Sequence, residues 1–387
     1  MRSAVIVDAV RTPVGRRNGL LKDVHPVDLV ALTLQALVDR TGIDPAQVDD
    51  VIMGCVTQTG EQGLNVGRNA LLAAGFPEEV PAVSIDRQCG SSQQAAHFGA
   101  QGVMADQYDI VIAAGIEHMT RVPMGVTAQQ GPGIPFGPKM LERYDHSLVP
   151  QGISAELVAE RWGFAREQLD EFSLESHRRA AAATDEGRFL NEIVPVEVNG
   201  DGGGAVVMTQ DEGIRRDTSL EKLASLKPAF KADGMITAGN SSQISDGAAA
   251  ILIMGEDVAE RLGFTPMVRF RGFSVAGVDP VIMLTAPIPA TQKVLARTGL
   301  TVDDIDLFEV NEAFASVPLA WLAETGADWS KVNVNGGAIA NGHPLGASGA
   351  KIMTTLVHEM VRTGARYGLQ TMCEGGGLGN ATVFERV

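Results

Sequence analysis

The run Val80-Pro81-Ala82-Val83-Ser84-Ile85-Asp86-Arg87-Gln88-Cys89-Gly90-Ser91-Ser92-Gln93 decides how this chain is read. Its opening residues are short and apolar, the pattern of a buried strand, and Gln93-Gln94-Ala95-Ala96-His97-Phe98 begins a helix. Cys89 therefore stands on a strand-to-helix turn. A helix start offers free N–H groups and the positive end of its dipole, so the thiol there is expected to lose its proton below the ordinary value. On these residues alone two readings stay open, a nucleophile and a small buried hydrophobe.

Outward from that turn the pattern alternates. Strands are expected near 3–9, 50–56 and 108–114, and helices near 26–41, 64–74 and 91–104, which points to an α/β protein with a mostly parallel sheet covered on both faces. The C-terminal third repeats this pattern. Arg40-Thr41-Gly42-Ile43 leads into a strand at Asp49, and Arg297-Thr298-Gly299-Leu300 leads at the same spacing into one at Asp306. Tyr108-Asp109-Ile110-Val111 is likewise aligned with Tyr367-Gly368-Leu369-Gln370. Between the copies, 118–240 is rich in Gly and Pro, with helices near 154–187, and reads as an insertion. The division expected is a first half of 1–117 plus 241–265, the inserted 118–240, and a second half of 266–387.

Composition narrows the function. The chain has 387 residues, 45% hydrophobic, with 44 glycines and a net charge of −16, which argues against nucleic acid as a partner. Three cysteines in such a length form no disulfide framework and suit a reducing compartment. No run has the length of a membrane span, so a cytoplasmic protein with no membrane partner is expected. Against the acidic balance, Arg215, Arg216, Lys222 and Lys227 cluster between Ile214 and Phe230, either as a solvated loop or as a place for a small phosphorylated ligand.

If the two copies pack about a pseudo-twofold, the helix after Cys89 and the helix beginning near Ala347 meet at their N-termini. The run Gly336–Gly346, with His343, then faces Cys89, and Cys373 arrives at the end of its strand. A thiolate beside an imidazole is the minimum for covalent acyl transfer. The Cys89 N–H offers one oxyanion donor, and Gly375, in Glu374-Gly375-Gly376-Gly377, offers a second. A second thiol with a free pKa near about 8.5 suits proton transfer at a carbon acid. Asn311 either orients a water or an oxyanion or caps the next helix, and Glu312 is either a cap or a partner for an imidazole. Cys55 reads as core. The remaining histidines show no ligand spacing, so no metal site is expected.

Four blocks resemble the thiolase family over essentially the whole chain. They are Asp86–Ser92, Asn311-Glu312-Ala313-Phe314-Ala315, Gly336–Gly349 with Gly342-His343-Pro344, and Cys373-Glu374-Gly375-Gly376-Gly377-Leu378-Gly379. The resemblance implies two βαβαβαββ halves in a five-layered α-β-α-β-α core with an inserted loop domain. It also implies an acyltransferase that cleaves 3-oxoacyl-CoA with CoA, or runs the reverse condensation, in fatty-acid or steroid-type degradation. Cys89 would be acylated, His343 would activate it, and Cys373 would serve as acid and base. Asn311 would hold a water of one oxyanion site, with Gly375 in the other. Arg215, Phe230 and Ser242 would bind CoA, which enters as substrate with no resident cofactor, and the chain would form a homodimer or homotetramer. The chain departs from the family at Gln151-Gly152, Asn341 and Glu374, all bearing on the acyl pocket. An acetoacetyl-CoA-forming biosynthetic thiolase is the alternative. A ketoacyl synthase would use a histidine where Cys373 stands, a silent acyl-CoA-binding protein would not need Cys89, Cys373 and His343 together, and a cysteine hydrolase has no use for the second thiol.

Overall fold

The computed structural model describes residues 2–200 and 204–387. Its strands are β1 (Ala4–Arg11), β2 (Gly15–Arg16), β3 (Asp50–Gly54), β4 (Ala82–Ile85), β5 (Ile110–His118), β6 (Val196–Asn199), β7 (Ala205–Met208), β8 (Ser245–Gly255), β9 (Val268–Gly277), β10 (Leu307–Val310), β11 (Tyr367–Glu374) and β12 (Leu378–Arg386). β6 and β7 form a hairpin of their own. The rest make one ten-stranded sheet in the order β10-β11-β12-β9-β1-β8-β5-β3-β4, with β2 alongside β8.

Most of its pairings are antiparallel, which corrects the mostly parallel sheet expected, and its order contains the same pattern twice. In the first half β3 runs parallel to β4 and β5, and β8 and β1 follow antiparallel. In the second, β10 runs parallel to β11, β12 and β9 follow antiparallel, and a lone parallel bridge from Phe308 to Val332 occupies the place of β4. The halves are stitched where β1 meets β9, through Val5–Arg269 and Ile6–Val268.

The repeat extends to single atoms. Asp49 Oδ2 accepts from the N–H groups of Asp109 and Ile110, 60 and 61 residues on, and Asp306 Oδ2 accepts from Arg366 and Tyr367 at the same separations. Asp50 pairs with Val111 as Leu307 pairs with Gly368, and helices begin at Ser91 and at Ser348 in step with them. One constant offset therefore relates the copies. It corrects the alignment of Tyr108 with Tyr367: the counterpart of Tyr367 is Ile110, because the aspartate clamp sets the register and the shared tyrosine does not.

Alternation in the strands sorts side chains into layers. From β5, Ile110, Ile112 and Ala114 pack with Leu29, Leu34 and Leu37 of the helix Pro26–Thr41, while Val111 and Ala113 face the other way. β1 follows the same rule as far as a bulge between Ile6 and Asp8, after which the parity switches: Val5, Val7 and Val10 share one face, Ala4, Ile6 and Ala9 the other. The inward faces of both halves enclose the helices Ser91–Met104 and Ser348–Thr363, through Ala95, Ala96, Met353 and Leu356. Beyond the second half lies the helix Pro287–Thr298, whose Val294 packs on Phe308 and Val383. The result is five layers, helix, sheet, helix, sheet, helix.

The two central helices touch at their starts. Ala350 N–H donates to Ser92 Oγ at 2.8 Å, and a Cβ on Gly349 would stand 2.2 Å from the Gln93 nitrogen. Main chain cannot move aside there as a flexible side chain would. Gly349→Ala is expected to lower stability by about 2 kcal/mol, read from the urea midpoint at unchanged slope.

Candidate active site

β4 ends at Ile85 and the chain folds sharply into the helix Ser91–Met104. Gln88 takes φ 48°, a left-handed conformation that non-glycine residues seldom adopt, and its N–H is held by Asp86 Oδ1 at 2.6 Å. Ser91 Oγ donates to the Gln88 carbonyl at 2.6 Å and accepts from Arg87 N–H at 2.9 Å. These bonds hold Cys89 in a buried pocket against Met119, Leu345 and Met372.

The expected fall in the Cys89 pKa is overturned. The N–H groups of Gly90 and Ser91 are spent on the Arg87 and Gln88 carbonyls, so the helix start has less to give an anion than its position promises. Burial, and then the nearby Glu374, push the thiol up to about 12, although the N–H groups of Cys89 itself and of Gly375 both pull the other way. Cys373, also buried, sits well above its ordinary value, chiefly through burial and then through the charge Cys89 would carry.

His343 is buried as well, in the Gly-rich turn that precedes the helix Ser348–Thr363, and Leu345 of that turn packs against Cys89. Its Nδ1 is 2.5 Å from Ser348 Oγ, and that hydroxyl donates its only proton to the Pro344 carbonyl. Nδ1 must therefore carry the ring proton, which leaves Nε2 bare as a base. Burial, with Lys351 beyond, pushes the imidazole down to about 3 and keeps it neutral. Asn311 Nδ2 lies 3.5 Å from Nε2. The cap reading of Asn311 does not hold, since the next helix starts at Ser316 with Ala315 before it. Glu312 is neither a cap nor an imidazole partner: it accepts from Ser176, Asn333 and the Ile339 N–H, tying the insertion to the second half.

A cavity of about 970 Å³ opens from His343 to the surface. Arg215, Phe230 and Ser242 all line it. Phe230 packs edge-on against Phe314 at 5.9 Å, and a Cβ at Gly152 would lie 2.2 Å from its ring, so the glycine at that position makes the room Phe230 occupies. Arg216, from the basic cluster marked in the sequence, lines the cavity too, and so do Arg16 and Arg17, which the sequence reading passed over; two adjacent arginines just after the first strand of an acidic chain were the available signal. Ser348, which sets the imidazole tautomer, was missed as well and had no signal beyond its position after the histidine motif. Among the described residues no group of three or more His, Cys, Asp or Glu side chains is arranged to hold a metal ion, and no helix is long and apolar enough to cross a membrane.

A buried thiol, a neutral imidazole and a second thiol, in a duplicated five-layered α/β fold, have the chemistry an acyltransferase requires. The chain belongs to the thiolase family: residues 4–257 match the thiolase N-terminal domain and 264–386 the thiolase C-terminal domain. It is 50% identical to a steroid 3-ketoacyl-CoA thiolase of Mycobacterium tuberculosis, over 100% of this chain and 95% of that protein. It is 47% identical to a 3-ketoacyl-CoA thiolase of Vibrio vulnificus over 100% of both chains. The crystal structure of the Bacillus anthracis acetyl-CoA acetyltransferase superposes with a TM-score of 0.92, at 39% identity, over 100% of this chain and 99% of that one.

Ser348→Ala removes the group that fixes the imidazole proton while leaving the ring in place. It is expected to lower kcat by about tenfold to a hundredfold with little change in the KM for CoA, measured by steady-state thiolysis.

Proposed function

We propose that this thiolase cleaves 3-oxoacyl-CoA with CoA to give acetyl-CoA and a shortened acyl-CoA. The observation that carries the reading is the pair of buried thiols Cys89 and Cys373, close enough for charge on one to act on the other, with Leu345 of the His343 turn packed on Cys89 and His343 itself lining a cavity that also carries Arg16, Arg17, Arg215 and Arg216. Cys89 Sγ attacks the 3-oxo carbon as His343 Nε2 takes its proton. The C2–C3 bond breaks, and its electrons pass into the enolate of acetyl-CoA. Cys373 protonates C2 and acetyl-CoA leaves. Cys373 then takes the proton of the incoming CoA thiol, which attacks the acyl-cysteine, and Cys89 departs to recover its proton from His343.

The amides of Cys89 and Gly375 serve as donors to the oxygen on the attacked carbon. Once protonated, His343 Nε2 becomes a donor, and with a water held by Asn311 it stabilises the enolate oxygen. CoA lies in the arginine-lined cavity as a substrate, with Arg215 near the nucleotide, Phe230 beside it and Ser242 along the pantetheine. These groups supply every proton transfer, so the reaction needs no resident cofactor or metal. Acyl groups longer than acetoacetyl, including ring-bearing ones, are favoured over the biosynthetic reading because the curated relatives named above are 3-ketoacyl-CoA thiolases.

We place the enzyme in the cytoplasm, with the segment 118–240 as the unit that holds CoA and supports assembly. A homodimer through β4, or a tetramer built on it, is supported by the edge position of that strand, with Val83 and the almost fully exposed Leu64 (96%) beside it, and by Ile134 (73%) within the insertion.

Thiolysis followed by chromatography of the products tests the reaction. Wild type should release acetyl-CoA from 3-oxoacyl-CoAs, with the same rate after EDTA treatment. Cys89→Ala and Cys373→Ala should each lose at least about a hundredfold in kcat, and mass spectrometry of Cys373→Ala should find the acyl group on Cys89. Arg215→Ala should raise the KM for CoA by about tenfold. Activity surviving in Cys89→Ala would sink the mechanism.

A further inference from the structure

Glu374 stands between Cys373 and Gly375, and no step above uses it. Its side chain is fully buried, and neither Oε1 nor Oε2 has a hydrogen-bond partner. The place it occupies exists because Gly90 has no side chain: a Cβ there would lie 2.0 Å from Glu374 Oε1. Gly90 follows Cys89 and caps the helix Ser91–Met104. An unpartnered carboxyl is thus lodged against the backbone that carries the nucleophile.

The charged groups that reach it come from the turn before Cys89. Burial pushes its carboxyl up to about 8; Arg87 opposes that rise and Asp86 adds to it. Charges on the other elements packed on β11 are turned elsewhere. Lys293 and Arg297 of the helix Pro287–Thr298 donate to the Val275 and Phe273 carbonyls. Lys351 of the helix Ser348–Thr363 faces Arg11, Asp211, Glu309 and Glu192. On β12, Glu385 is at the far end beside Tyr367, and the neighbour at this end is Asn380, whose Nδ2 donates to the Gly90 carbonyl at 3.2 Å. The two thiols share its surroundings and its charge opposes their ionisation; Glu117 of β5, held by the Val56, Thr57 and Gly346 N–H groups, is the other carboxyl that acts on Cys89, more weakly than Glu374 does.

We propose that Glu374 is a positioning residue of the thiolase reaction: held as a neutral carboxylic acid against Gly90, it keeps the site uncharged while Cys89 reacts, and when it ionises its charge opposes the Cys89 thiolate and slows acylation at alkaline pH. The proposal rests on the thiolase reading for its consequence in catalysis but not for the interaction itself. Ionisation gives one proton to solvent and leaves one negative charge beside Cys89. Below that transition the carboxyl and its amide are electrically alike. Above it they differ by one charge, and the thiolate fraction differs accordingly.

Wild type and Glu374→Gln are compared between pH 6.5 and 9.5 in two measurements, alkylation of Cys89 by iodoacetamide located by mass spectrometry, and kcat/KM for thiolysis. The expected result is equal alkylation rates at pH 6.5 and a Glu374→Gln rate about three- to tenfold above wild type at pH 9.5, allowing for the weaker nucleophilicity of a lower-pKa thiolate. The thiolysis ratio should diverge in the same direction. A uniform change across the range, as a purely structural defect would produce, overturns the proposal. Divergence in alkylation with no thiolysis by either protein upholds the Glu374 interaction and overturns the reaction reading instead. If Glu374→Gln does not fold, the wild-type alkylation profile decides: it should require two ionisations, the lower one flattening the rise near pH 8, and a single-ionisation profile overturns the proposal.

Discussion

Everything at the catalytic centre depends on two helices meeting at their first turns between the two halves of the sheet. Ser92 holds the Ala350 N–H, and Gly349 lets the second backbone rest against Gln93. Because both helices are enclosed by strand faces of small and branched residues, neither can slide without opening the core. The turn that carries Cys89 and the turn that carries His343 immediately precede these helices, so the spacing of thiol and imidazole is inherited from the packing of the whole molecule.

The second property of the centre is the absence of resting charge. The imidazole is neutral and both thiols are protonated, each chiefly through burial. In such a medium, amide dipoles aimed at a developing oxyanion act more strongly than they do in water, and they need no reorganisation when the charge appears. Cationic side chains, Arg16, Arg17, Arg215 and Arg216, line the cavity that His343 also lines.

Much of this was legible in the residues. The turn at Cys89, the helix Ser91–Met104 and the repeat at Arg40 and Arg297 follow from local pattern, which here agrees with the tertiary structure. What was not legible depends on contacts far apart in sequence. The thiol was expected to ionise easily because a helix follows it; the carbonyls of Arg87 and Gln88 consume the N–H groups that argument relied on, and Glu374 arrives from a strand near the C-terminus. The second strand alignment went wrong because a matching tyrosine looked like register, when register is held by Asp49 and Asp306. Glu312 suggested a partner for the imidazole, and only the placement of Ser176 and Asn333 shows it bracing the insertion.

The constant offset between the copies also says what each working position became in the other copy. Cys89 has Gly346 as its counterpart, which rests where a side chain would strike Cys55 and Ile116; Cys373 has Ile116, and Asn311 has Gly54, pressed on the backbone of Ser91 and Ser92. A symmetric ancestor would have offered two equivalent clefts. In this chain one has been filled with backbone, and its vacated positions have become the wall against which the other is built. Cys89 and His343 come from different copies, so the polypeptide is a tethered pair of unlike partners.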